Sequence, residues 1–128
     1  MGDDALDTAN LAMRHWQAGA ADGDWSDLLA MMDPDVAFHV PVDGFMRPQR
    51  GADAATRFFD HLTAVLRAEL KVTSTLPGAD RIGFEVSVRG TMRGREFRQA
   101  LCLVFHTGDG RIRAFREYLA WPGGLEPE

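Results

Sequence analysis

Residues 99–119 read Gln-Ala-Leu-Cys-Leu-Val-Phe-His-Thr-Gly-Asp-Gly-Arg-Ile-Arg-Ala-Phe-Arg-Glu-Tyr-Leu, and the fold turns on them. Gly108-Asp109-Gly110 is a turn signal between two β-rich runs. Before the turn, Leu101, Leu103 and Phe105 share one parity and Ala100, Cys102 and Val104 the other. A strand that is apolar on both faces must be covered twice, by helices on one side and by a second copy of the chain on the other. After the turn, Phe115, Glu117 and Leu119 oppose Ala114, Arg116 and Tyr118. If Phe115 and Leu119 face inward, Glu117 is a carboxylate among apolar neighbours, where desolvation raises its pKa and suits it to acid–base work. The alternatives are an ion pair with Arg98, Arg113 or another arginine, or a register slip that turns Glu117 outward.

Working backward from this hairpin, Ile82, Phe84, Val86 and Val88 alternate with Gly83, Glu85, Ser87 and Arg89, the pattern of a half-buried strand. Pro77-Gly78 and Arg93-Gly94 are further turn signals, so strands are expected near 69–76, 82–92, 96–106 and 111–120. The first half of the chain is helical in period. Leu6, Ala9, Met13, Trp16 and Ala20 form one stripe over residues 5–20. Asp24 is placed to cap a short second helix carrying Trp25, Leu28, Leu29 and Met32. Val36–Val40 reads as a strand, 41–51 as a loop or short edge hairpin, and 52–68 as a third helix with Phe58, Phe59, Leu62, Val65 and Leu66 inward. Helices first and meandering strands after predict an α+β domain spanning 1–128, a curved antiparallel sheet wrapped around three N-terminal helices.

Composition narrows the function. The 128 residues are 45% hydrophobic and 26% charged, with a net charge of -5, which is globular and unsuited to nucleic acid. One cysteine, Cys102, permits neither an internal disulfide nor a thiolate metal cluster, and its apolar run marks it as a buried small side chain. No 18-residue apolar run exists to span a membrane, and Met1-Gly2-Asp3-Asp4 starts no signal peptide, so a cytoplasmic protein is expected. Arginine-dominated basic residues, with Lys71 the one lysine, point to a GC-rich bacterial genome.

Among candidate site residues, His39 on the first strand reads as a hydrogen-bond partner or base near a pocket mouth, or else as a rim histidine bonded to a backbone carbonyl. His15, His61 and His106 are scattered and form no ligand pair, so no metal or other cofactor is expected. Trp16 continues the stripe of the first helix, which makes it core and compatible with a pocket wall.

Five pieces in order complete the picture: Ala20-Ala21-Asp22-Gly23-Asp24-Trp25, Asp33-Pro34-Asp35-Val36 with Phe38-His39-Val40-Pro41, Arg50-Gly51-Ala52-Asp53 with Phe58-Phe59, Gly108-Asp109-Gly110-Arg111-Ile112, and Phe115-Arg116-Glu117-Tyr118. Together they resemble the SnoaL-like group of the nuclear transport factor 2-like superfamily, which shares the ketosteroid isomerase-like cone. The resemblance implies a conical fold with a deep pocket, commonly dimeric through the outer sheet face. It implies no single reaction, since this scaffold hosts isomerases, polyketide cyclases, epoxide hydrolases and non-enzymes. Ketosteroid isomerase has a tyrosine where this chain has Trp16, and aspartates at positions matching Val40 and, nearby, Leu101. Limonene-epoxide hydrolase has an acidic residue matching Glu117, but its arginine and second aspartate fall near Val86 and Val88. SnoaL-type cyclases keep an acidic residue at about Glu117, and a polar residue two before the first-strand proline matches His39.

The resulting expectation is a cofactor-free isomerase, cyclase or hydrolase acting on a small apolar molecule. Glu117 and His39 form its catalytic pair, and Trp16, Phe58, Phe84, Val86, Leu101, Leu103 and Phe115 line the hydrophobic pocket. The competing expectations are a non-catalytic protein that sequesters an apolar ligand, favoured by the missing aspartates, and a module that serves only to dimerise.

Overall fold

The computed structural model describes residues 2–121; the two ends of the expected 1–128 domain, Met1 and 122–128, lie outside them. Helix α1 runs Gly2–Asp22 and buries Ala9, Met13, Trp16 and Ala20 of the expected stripe, with Ala12 added and Leu6 only half-buried. It stops at Gly23, whose φ of 84° takes the chain into the left-handed region while its N–H bonds the Gly19 carbonyl at 2.7 Å. Asp24 Oδ1 then accepts from the Ser26 N–H at 3.0 Å and the Ser26 hydroxyl at 2.7 Å ahead of α2, Ser26–Leu29. The N-cap position, however, falls on Trp25, not on Asp24, and has no side-chain cap.

Strands β1 (Met32–His39) and β2 (Gln49–Arg50) precede helix α3 (Ala52–Val65), followed by β3 (Leu66–Leu76), β4 (Arg81–Met92), β5 (Arg95–Gly108) and β6 (Arg111–Trp121). Two boundaries differ from expectation. Met32 belongs to β1, where Asp33-Pro34-Asp35 fall in a register shift between Met32 and Ala37 and do not separate helix from strand. The third helix ends at Val65, three residues early. Leu66, Ala68 and Leu70 are buried while Arg67, Glu69 and Lys71 are exposed, so a period of two takes over at Leu66.

The strands form one curved six-stranded sheet in the order β2-β1-β6-β5-β4-β3. Its pairs are antiparallel except β1 and β6, which run parallel with Phe38 beside Phe115. Register shifts at Val72/Ser74, Ala100/Leu101 and His106/Thr107 bend the long strands, as bulges do. Gly90, opposite Ala68, lets β3 and β4 approach there, because a Cβ on it would meet the backbone of Arg67 and Ala68. The helices lie on the concave side, and the core between is dense with rings. Trp16 meets Trp25, Phe59, Phe105 and Phe115 edge-on at centroid distances of 5.3 to 5.9 Å, and Phe38 stacks on Phe115 at 4.8 Å.

Candidate functional site

Glu117 enters the interior because β6 alternates. Phe115, two residues earlier on the same face, is fully buried, and across β5 the register sets Leu103 opposite Glu117. The carboxyl opens onto a cavity of about 180 Å³. Trp16 of α1, Leu62 and Val65 of α3, Leu66 and Leu70 of β3, Val88 and Met92 of β4, and Phe97 and Leu101 of β5 supply apolar wall. Pro41 and Val42 close it from the segment between β1 and β2, and the exposed Asp43 and Arg93 mark its rim. Gln99, His61 and Glu117 are the remaining polar walls.

Glu117 is half-buried as a residue, yet its carboxyl is desolvated where it lines the cavity. No ion pair or hydrogen bond joins it to another described residue; Arg113 turns to Asp109 at 2.7 Å and Asp33 at 3.9 Å. Burial alone therefore acts, raising the Glu117 pKa from 4.5 to about 7. A carboxyl with that value populates both protonation states near neutrality and can take or give a proton.

His39 is not in this cavity. Val36, Phe38 and Val40 are buried, so the intervening residue must point out, and His39 is exposed with its Nε2–H donating to the Met46 carbonyl at 2.8 Å. The histidine beside the cavity is His61. It stands three residues after Phe58 and four before Val65, in the helical stripe that faces the sheet. That spacing was the sequence signal for it.

The expected pocket wall divides. Trp16 and Leu101 line the cavity. Phe58, Phe84, Val86, Leu103 and Phe115 do not: they are 0 to 2% exposed and packed solid with the other rings. Aromatic side chains fill the interior around them, and the cavity lies toward Val88, Met92 and Phe97. Gln99, Asp43 and Arg93 were unforeseen as cavity residues; no local pattern distinguishes them from ordinary strand-end and turn positions.

The convex face carries Ala100, Cys102 and Val104, all half-buried, beside the exposed Tyr118. Burial, aided by Glu85, pushes the Cys102 thiol up and makes it a poor nucleophile. Burial also lowers the His106 pKa, with Arg81 and Arg116 acting in the same direction and Asp80 opposing them. Among the described residues no three His, Cys, Asp or Glu side chains converge as metal ligands, and no helix is long and apolar enough to cross a membrane.

Comparison with known proteins places this geometry. A nuclear transport factor 2-like (NTF2-like) protein from Anabaena variabilis superposes with a TM-score of 0.86 at 22% identity, over 94% of this chain and 92% of that one. An epoxide hydrolase of the LEH-like kind from M. tuberculosis does so at 0.71 and 18%, over 91% and 83%. A ketosteroid isomerase-like protein from Catenulispora acidiphila, crystallised with trimethylamine, does so at 0.70 and 14%, over 84% and 83%. At such identities the likeness is one of fold. No curated protein matches the sequence significantly. The model of the SnoaL-like domain, however, matches residues 13–115, from Met13 in α1 through the two inner walls to Phe115, two residues before the carboxyl. With most of its length accounted for in this way, the chain belongs to the SnoaL-like domain family.

Proposed function

We propose that the protein is a cofactor-independent acid–base enzyme acting on a small, largely apolar organic molecule, with Glu117 as the proton-transferring group. One observation carries this reading: a carboxyl without a partner among the described residues, in a cavity with mostly apolar walls, poised near pH 7 by burial. The structure holds other buried polar atoms, but no other buried carboxyl among the described residues has its pKa raised in this way. Proton abstraction beside a carbonyl, as in isomerisation or aldol ring closure, needs such a base in a dry site; protonation of an epoxide oxygen needs the same group as acid. The LEH-like hydrolase with this fold supports the second chemistry no less than the first.

The test is carbon-13 titration of the Glu117 carboxyl combined with deuterium exchange at the α-carbon of a cyclic ketone in heavy water. The expected result is a midpoint near 7 and exchange that disappears in Glu117→Gln. A midpoint between 4 and 5 overturns the reading.

A second reading, a binding protein that only sequesters its ligand, is favoured by Val40 and Leu101, apolar where the isomerase resemblance puts aspartates. It predicts ligand binding with no exchange. On either reading we propose a homodimer through the convex face around Cys102 and Val104, and a cytoplasmic setting consistent with an acidic chain that has a single cysteine.

A further inference from the structure

Burial along β5 falls steadily from the inner end of the cavity to its rim. Leu103, opposite Glu117, is fully buried and Leu101 nearly so; Gln99 and Phe97 are half-buried, and Arg95 at the turn is exposed. All five share the inner parity of the strand. The cavity follows the same line, with Glu117 and Leu101 on its inner part and Phe97, Met92 and Arg93 toward the β4–β5 turn.

Gln99 interrupts the apolar run of that face. Phe97, Leu101, Leu103 and Phe105 are its companions on β5, and the register sets it opposite Val88, a buried wall residue of β4. Its amide offers a donor and an acceptor, yet it bonds to no described residue. Nor is the amide sealed off: the unpartnered buried polar atoms among the described residues are Trp25 Nε1 and His61 Nε2, and neither Gln99 atom is with them. Both amide atoms are therefore open to a partner from outside the chain, on a wall where a leucine or methionine would fill the space without any polar group.

Position and size narrow what that partner is. Gln99 stands four residues along β5 from the residue opposite Glu117, an offset of about 13 Å at the rise of a strand. A molecule that meets both carries two functions separated by an apolar body. The cavity measures about 180 Å³, and an apolar cavity of about 150 Å³ holds one benzene, so that body is a single ring. A neutral amide matches a neutral hydroxyl or carbonyl; a carboxylate would call for a charged partner.

We propose that Gln99 orients the substrate: it binds an uncharged oxygen function, hydroxyl or carbonyl, at the end of a single-ring molecule remote from the atoms that exchange protons with Glu117. This rests on the acid–base reading of the same site and names its substrate class. Held so, the molecule lies along β5, with its reacting end beside Glu117 and its second oxygen toward the rim.

4-Hydroxyphenylacetone and 4-methylphenylacetone share a ring, a ketone and a size, and differ in the remote group. NMR titrations of the intact protein are expected to show the hydroxyl compound bound about fivefold more tightly, the worth of one neutral hydrogen bond. That compound alone should move the Gln99 side-chain amide resonances. Gln99→Met keeps the side-chain length and should equalise the two affinities, while a Glu117 midpoint still near 7 shows the variant folded with its cavity intact. Binding of neither ketone, equal binding by the wild type, unmoved Gln99 amide resonances, or a preference that survives Gln99→Met overturns the inference. So does tighter binding of 4-carboxyphenylacetone, which would give the rim to Arg93. All of these leave the Glu117 titration as it is; a midpoint between 4 and 5 overturns instead the reading beneath it.

Discussion

His39 and Met46 are joined by a 2.8 Å hydrogen bond from Nε2–H to the backbone carbonyl, on the outside of the sheet edge. The bond ties the end of β1 to the segment whose Pro41, Val42 and Asp43 wall the cavity and whose Phe45 packs on Phe58 and His61. His39 therefore bears on the site from behind, through the loop it holds. His39→Ala is expected to cost at most about 1 kcal/mol of stability and to leave the Glu117 titration where it was. Carboxyl NMR on the variant checks this, and a displaced Glu117 midpoint would restore a direct pairing of the two residues.

Glu117 makes stability depend on pH with a definite sign. Its folded pKa of about 7 lies above the unfolded 4.5, so the native state binds more protons between those values. Ionisation opposes folding, and stability falls as pH rises through that window, then levels off. Glu117→Gln removes the ionisation. The variant should exceed the wild type by about 3 kcal/mol at pH 8 and by little at pH 4.5, as read from urea melts at both. Parallel curves would mean that the carboxyl is solvated.

Trp16 serves two structures at once, the ring cluster and the cavity wall. Trp16→Ala is expected to destabilise the fold by about 3–5 kcal/mol. In the wild type, ligand entry should alter the Trp16 emission, although Trp25, also buried, contributes background. An unchanged denaturation midpoint in Trp16→Ala would exclude it from both roles.

The convex face makes the fourth prediction. A dimer through Ala100, Cys102, Val104 and Tyr118 should bury over about 1,000 Å² in total and sediment as a dimer at micromolar concentration. Val104→Arg sets a charge beside Arg116, its register neighbour on β6, and should yield monomers that keep the Glu117 titration. A wild type that sediments as a monomer would sink the proposal.

Much of this was legible in the sequence because it is local. The alternation from Ile82 to Val88 and from Leu101 to Phe105 yields inner and outer faces directly, and the same parity puts Glu117 on the inner one. Parity also sends His39 outward between Phe38 and Val40, against its match to a family position. The α3–β3 boundary was obscure because Leu62, Val65 and Leu66 fit a helical stripe while Leu66, Ala68 and Leu70 fit a strand, and both patterns share Leu66. The parallel pairing of β1 with β6 joins distant segments and leaves no local trace. A cavity is a shortfall of volume. Phe84 and Val88 are both inward on β4, and only the packing of the whole interior tells that one fills its space and the other borders a gap.

That parallel pairing also sets an order of events during synthesis. β6 is the last of the described strands along the chain, and it lies between β5 and β1, so until it arrives both neighbours present raw edges. A nascent chain that has already made α1, β1, α3 and the β3–β5 meander lacks only the strand that joins them, and that strand brings the carboxyl. Delivery of Glu117 into a nearly finished interior thus coincides with closure of the sheet. A premature stop before Arg111 would leave two sticky strand edges and no Glu117, a product destined for chaperones or proteases.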